Sequence, residues 1–150
     1  MQTLAQPRTI SCYDEDWVLW IDAQIRLLSK KRYSELDLEN LVEELDGMKK
    51  QFSRELKHRL IVLVMHLLKC EYQQDHAKNK WRSTLIEQRC RILLLLEDSP
   101  STRSKVLPYA IKHYPEARRM AAVETRMAIE AFPPQLPYSV EQLLDHDFMP

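Results

Sequence analysis

Apolar residues recur at helical spacing along most of this chain. In "YDEDWVLWIDAQIRLLSKKR", positions 13 to 32, apolar side chains stand at 17, 18, 20, 21, 25, 27 and 28. Acids open the segment and bases close it, which the helix dipole favours. We predict a first helix here, with Asp14 as its N-cap.

A second apolar stripe stands at positions 38, 41, 42 and 45. It has the i, i+3, i+4, i+7 spacing of an amphipathic helix. Ser34 and Asp37 resemble a capping box at its start, although Asp replaces the preferred Glu or Gln. Gly47 is expected to end or kink this helix, because glycine disfavours a helix interior.

The segment from about Ser53 to Tyr72 contains "RLIVLVMHLLKC", whose apolar residues cover all sides of a helix. This predicts the most buried element of the fold. A fourth helix is predicted from Trp81 to Leu96. Ser99 is expected to cap the next helix, with Pro100 at its first position.

The last third of the chain is rich in proline and predicts shorter helices, near 100–107 and 109–127, the second bent at Pro115. Ser139 and Gln142 form a true capping box, which predicts a short final helix. No segment alternates at period two for long enough to be a strand. We predict an all-α fold, a compact helical bundle with a long central buried helix and a proline-rich C-terminal segment. A flexible tail would cover residues 1–12, and one helical domain would cover 13–150.

Composition narrows the function classes. Gly47 is the single glycine, so no phosphate-binding loop of the G-x-G-x-x-G or G-x-x-x-x-G-K type can form. Cys12, Cys70 and Cys90 are an odd number of widely spaced cysteines, which is typical of reduced thiols. No secretory signal or membrane-spanning run is visible, so we expect a cytoplasmic protein without a membrane partner. No cofactor is predicted.

Charge is balanced overall but divided into blocks. Residues 14–46 carry ten acids against four bases, and residues 49–69 carry one acid against six bases. Such blocks either pair within the fold or present one sign of charge to a partner.

Six ordered segments carry a family resemblance. They are "YDEDW…W" at 13–20, "SELDLENLVEEL" at 34–45, "LVMHLLKCEYQ" at 63–73, "WRSTLIEQRCRI" at 81–92, "LEDSPS" at 96–101 and "FPPQLPYSVEQLLDHDFMP" at 132–150. Together they resemble family 29 of the domains of unknown function, a bacterial family common in cyanobacteria. The resemblance implies an all-helical bacterial protein and assigns no activity.

Two groups of residues offer candidate chemistry. Glu55 and His58 stand one helical turn apart, and so do His66 and Cys70, which is a spacing that one metal ion can bridge. The two pairs do not share a helix face, and a di-iron bundle needs more ligands than this chain supplies. We therefore predict no metal site and expect His66 to be a neutral core residue with a hydrogen bond.

The segment "KNKWRSTLIEQRCR" surrounds an aromatic residue with bases, which suits contact with a nucleic-acid backbone and stacking. The candidate binding residues are Lys78, Lys80, Trp81, Arg82 and Arg89. The pI near 7.0 is low for a dedicated nucleic-acid-binding domain.

Three functions remain in order of preference. The first is a protein-interaction or regulatory module that binds another protein or associates with itself as a homo-oligomer. The alternative is a nucleic-acid-binding module that uses the surface from Lys78 to Arg91. The third is a metal-binding protein or enzyme that uses His58, His66 and Cys70.

Overall fold

The computed structural model describes residues 13–73 and 79–150, and the predicted tail at 1–12 lies outside them. Within these ranges there are α-helices and short 3-10 turns and no strand, which confirms the all-α prediction. The helices are α1 (Trp17–Ser29), α2 (Leu38–Tyr72), α3 (Asn79–Asp98), α4 (Val106–Thr125) and α5 (Val140–Leu144).

Helix α1 begins later than the sequence suggested. Asp16, not Asp14, is the N-cap, and its Oδ1 accepts a hydrogen bond from the backbone N–H of Leu19 at 3.0 Å. After the C-cap Lys30, Lys31 takes a left-handed conformation with φ 57°, which turns the chain out of the helix.

Helix α2 begins after Asp37. Ser34 lies in a separate 3-10 turn, Tyr33–Glu35, so the predicted capping box does not form. The Asp37 carboxylate instead accepts hydrogen bonds from the backbone and side-chain amides of Asn40.

Gly47 neither ends nor interrupts α2, which runs for 35 residues. A glycine in an exposed helix interior costs only about 1 kcal/mol relative to alanine, too little to break a helix with good helix formers on both sides. Two predicted helices are therefore one.

The chain divides into two units, Met1–Lys49 and Lys50–Pro150. The hydrophobic core of the second unit is built around the C-terminal half of α2, where Leu56, Leu60, Leu63, Leu67 and Leu68 are buried. This confirms the predicted burial of the "RLIVLVMHLLKC" segment.

The C-terminal segment of the second unit is held by polar contacts. Arg118 donates to the carbonyl oxygen of Phe132, and the Tyr138 hydroxyl donates to Glu71 at 2.7 Å. Pro115 lies inside α4, which continues through it. The predicted Ser139–Gln142 capping box is present and starts α5.

Candidate interaction surface

The first unit contains a helical hairpin made of α1, the Tyr33–Glu35 turn and the first part of α2, residues 38–49. We call it the N-terminal hairpin. Trp20 on α1 donates its indole N–H to Asp37 at 3.0 Å, and the Asp37 backbone N–H donates to the Gln24 side-chain oxygen at 2.9 Å. The bonds from Asn40 and Trp20 lower the pKa of Asp37, because they stabilise its charged form. These contacts join the two helices near the turn.

A second polar contact joins the helices at the opposite end, which we call the open end. Glu44 accepts hydrogen bonds from the Tyr13 hydroxyl at 2.5 Å and the Trp17 indole at 2.9 Å. The Tyr13 bond is the main cause of a lowered Glu44 pKa, and it raises the pKa of Tyr13 to about 12. Glu44 is therefore an ionised acceptor that aligns both aromatic rings.

The interior of the N-terminal hairpin is small. Among its described residues only Trp20, Gln24 and Leu27 are buried, and Gln24 is polar. The Gln24 Nε2 atom is buried without a hydrogen-bond partner among the described residues. Two helices with so few buried side chains gain little from their mutual contact.

Most large apolar side chains of the hairpin are exposed instead. Of the fourteen exposed large hydrophobic residues in the described chain, ten lie between positions 17 and 48. Six of them form what we call the hairpin face, with exposed fractions from 45% to 66%: Val18, Ile25 and Leu28 on α1, and Leu38, Val42 and Leu45 on α2.

Helical geometry brings these six residues to one side. At about 100° per residue, the α1 members point about 120° away from the mean direction of Trp20, Gln24 and Leu27, the buried residues of α1. The α2 members point about 100° away from Leu41 and Glu44. Because the helices are antiparallel, both rotations lead to the same side of the hairpin. The face is therefore continuous across both helices.

Charge is separated along the hairpin. The turn end carries the exposed bases Arg26, Lys30, Lys31 and Arg32, of which Arg32 pairs with Glu35. The open end carries Asp14, Glu15, Asp16, Glu43, Glu44 and Asp46, with Lys49 paired to Asp46. Helix α1 with its flanking residues is thus polarised, acidic at its start and basic at its end, whereas the start of α2 adds Asp37 and Glu39 to the turn end.

The residues predicted to bind nucleic acid differ in exposure where the structure describes them. Lys78 and the side chain of Lys80 lie outside the described residues. Arg82 is exposed, whereas Trp81 is buried and Arg89 has an exposed fraction of 0%. Burial removes Trp81 and Arg89 from the proposed binding surface.

Arg89 has a different role, which the sequence did not indicate. Its guanidinium donates to the backbone carbonyls of Gln142, Leu143 and Phe148 at 3.0, 3.1 and 2.8 Å. Burial lowers its pKa, against the opposing effect of Asp145. The side chain ties α3 to the C-terminal segment.

The residues considered as metal ligands are also dispersed or engaged. Glu55 pairs with Arg59, His58 is exposed, and Cys70 is buried. Across the described ranges no three His, Cys, Asp or Glu side chains come together in a way that could hold a metal ion.

His66 is half-buried, and its Nδ1 atom is buried with no hydrogen-bond partner among the described residues. The hydrogen bond expected for a core histidine is therefore not formed at that atom. Burial, with a smaller contribution from Lys69, lowers the pKa of His66, and Glu124 opposes the shift. The imidazole is consequently held in its neutral form.

The hairpin face was visible in the sequence only as a pattern. Positions 38, 42 and 45 belong to the apolar stripe that predicted the second helix. Periodicity shows that a helix has an apolar side, but it does not show whether that side contacts the same chain or another molecule.

In the described ranges no helix combines the length and apolarity needed to cross a bilayer. The fold and its surface define an all-α protein that carries a helical hairpin with an exposed apolar face. The chain belongs to the family described as domain of unknown function DUF29, whose model matches residues 12–149. No curated protein and no solved structure matches it.

Proposed function

We propose that this protein is a protein-interaction module that binds its partner through the hairpin face. The observation that carries this proposal is the exposure of six large apolar side chains on one side of a hairpin with a very small interior. Contiguous apolar patches of this kind mark interaction sites on soluble proteins. Their arrangement on two helices suits a helical partner, whose side chains would fill the groove between α1 and α2.

A photo-crosslinking residue placed at Val42 tests this proposal in cells that express the full chain. Val123 on α4 is the matched control, because it is an exposed valine on a helix of the second unit. We expect a discrete crosslinked species from position 42 and none from position 123. Adding Ile25→Glu, on the same face, should abolish the species.

Absence of any adduct at position 42, or the same pattern at both positions, would contradict the proposal. Mass spectrometry of the adduct identifies the partner, which is a copy of this chain or a different protein.

The other functions have less support. A nucleic-acid-binding role would depend on Arg82 and on lysines outside the described residues, without Trp81 and Arg89. A metal or enzymatic role lacks a ligand cluster among the described residues. No observation supports either of these functions as strongly as the exposed hairpin face supports protein interaction.

We also infer a bacterial, cytoplasmic protein. The family resemblance supports the bacterial origin. Cys90 supports the cytoplasmic location, because it is an exposed thiol outside any disulfide, as is usual in a reducing compartment.

A further inference from the structure

We propose that the partner of the hairpin face is the hairpin face of a second copy of this chain, packed antiparallel to the first around a two-fold axis. This inference rests on the proposed function, since it names the partner of the same surface. Size, shape and charge each support it.

The size of the face suits a stable contact. Six side chains with exposed fractions from 45% to 66% present roughly 600 Å² of apolar surface, at the upper end of the range for the largest patch on a monomer. With its polar rim, the face approaches the roughly 800 Å² per partner of a standard protein interface.

The shape of the face suits a copy of itself. A two-fold contact joins the same patch on both partners, so each side chain contributes twice. Two hairpins packed in this way form a four-helix arrangement, in which the apolar stripes of α1 and α2 become an interior. This would supply the core that each hairpin lacks, where only Trp20, Gln24 and Leu27 are buried.

Charge then selects the orientation. In an antiparallel pair, the turn end of one copy lies beside the open end of the other, so Lys30 and Lys31 approach Asp14 and Glu15. The opposite charges at the two ends of α1 would meet at both ends of the interface, whereas a parallel pair would bring the acids of one α1 to the acids of the other and the bases to the bases. The antiparallel arrangement is therefore the one that the charge distribution favours.

The association state of the purified protein tests whether two hairpin faces pair. Sedimentation equilibrium over a range of concentrations should give a reversible species with twice the monomer mass. Val42→Glu with Leu45→Glu should raise the dissociation constant at least about thirtyfold, because charges would enter a desolvated interface. Val123→Glu is the control, with an exposed α4 position, and should leave the constant unchanged. Far-UV circular dichroism verifies that the variants keep their helices.

Charge reversal tests the orientation. Lys30→Glu with Lys31→Glu should weaken the dimer about fivefold at low salt, and Asp14→Lys with Glu15→Lys should do the same. Combining all four changes should restore the wild-type constant, because each altered end would again meet its opposite. A parallel pair would not respond in this way, since the lysine reversal would only exchange one like-charge contact for another.

The two proposals fail differently. A wild-type chain that stays monomeric at all concentrations overturns self-pairing. If position 42 still crosslinks to a different protein in cells, the interaction function stands and only the partner is wrong. If position 42 gives no adduct and the chain is monomeric, both proposals fail. A dimer that is indifferent to the Val42 and Leu45 changes would show that another surface forms it.

Discussion

At the scale of single residues, Arg89 shows how one polar side chain can hold a segment in place. It is fully buried, and its guanidinium donors meet three backbone carbonyls of residues 142–148. Those carbonyls belong to the end of α5 and the segment after it, where helical hydrogen bonding has ended. Arginine suits this task, because its planar fork offers several donors in fixed directions.

We expect Arg89→Met to lower the free energy of unfolding by about 3 kcal/mol, because one buried and two partly buried carbonyls lose their donor. Arg89→Lys should recover only part of this loss, since one ammonium group cannot reproduce the fork. Urea denaturation measures both values. Arg91→Met is the matched control on the same helix, since Arg91 is exposed and pairs with Glu87, and it should change stability by less than about 0.5 kcal/mol. Equal losses for Arg89→Met and Arg91→Met would contradict the anchoring role.

His66 should make stability depend on pH. Its pKa in the folded protein is below the ordinary value of 6.5, so the unfolded chain takes up a proton first as pH falls. The stability that the neutral His66 side chain allows is therefore fully present above pH 6.5. The free energy of unfolding then decreases as the pH falls from 6.5 toward the pKa of His66 in the folded protein.

Denaturation curves recorded from pH 7.5 to pH 5 should show this loss in the wild type. His66→Gln should flatten that part of the profile, because glutamine does not titrate in this range. His58→Gln, an exposed position on the same helix, should follow the wild type. An unchanged profile for His66→Gln would show that other groups cause the dependence.

At the scale of elements, α2 is the longest helix of the described chain and has two different environments. Its C-terminal half is buried in the core of the second unit, whereas Leu38, Val42, Leu45 and Met48 in its N-terminal part are exposed. Gly47 lies near the change between them, and it is also exposed. Apart from its chain neighbours and the adjacent helix backbone, no described atom lies within 4 Å of the place where a Cβ would stand at Gly47.

Gly47→Ala should therefore stabilise α2. The expected gain is about 0.5–1 kcal/mol, because alanine loses less backbone entropy on helix formation and meets no steric obstacle here. Thermal unfolding followed by circular dichroism measures it. Gln51→Ala, an exposed substitution one turn later, should change stability by only a few tenths of a kcal/mol. A destabilising Gly47→Ala would mean that the glycine is needed for a bend in α2.

At the scale of the whole molecule, the two units differ in how much they bury. The second unit has an extended core of leucine, valine and aromatic side chains, whereas the described part of the first has three buried residues. Local stability follows the number of buried apolar contacts. The first unit should therefore open more easily than the second.

Hydrogen exchange of the backbone amides tests this difference. In dilute protein, the amides of α1 should exchange at least about a hundredfold faster than those of residues 60–70. If the hairpin faces pair, protection of α1 should rise with protein concentration while that of 60–70 stays constant. Equal protection in both regions would contradict the ranking of the two units.

The sequence by itself determined the all-α class, the burial of the apolar run at 60–68 and the capping box at Ser139 and Gln142. These features follow from local periodicity and from hydrogen bonds between near neighbours, which a single chain segment encodes. It placed the N-cap of the first helix at Asp14 instead of Asp16, because a pattern of residue types does not distinguish between nearby acidic residues as caps. It predicted an end or a kink of the helix at Gly47. The sequence alone does not show whether the helical segments on both sides outweigh the low helix propensity of one glycine.

The tertiary structure decided the rest. Arg89 lies in the interior because three carbonyls from a segment more than fifty positions away converge on it, and no local pattern encodes such a meeting. Leu38, Val42 and Leu45 form an apolar stripe in the sequence, but only the fold shows that the described chain leaves them exposed. Burial is a property of what packs against a helix, so the same stripe is a core in one structure and a binding surface in another.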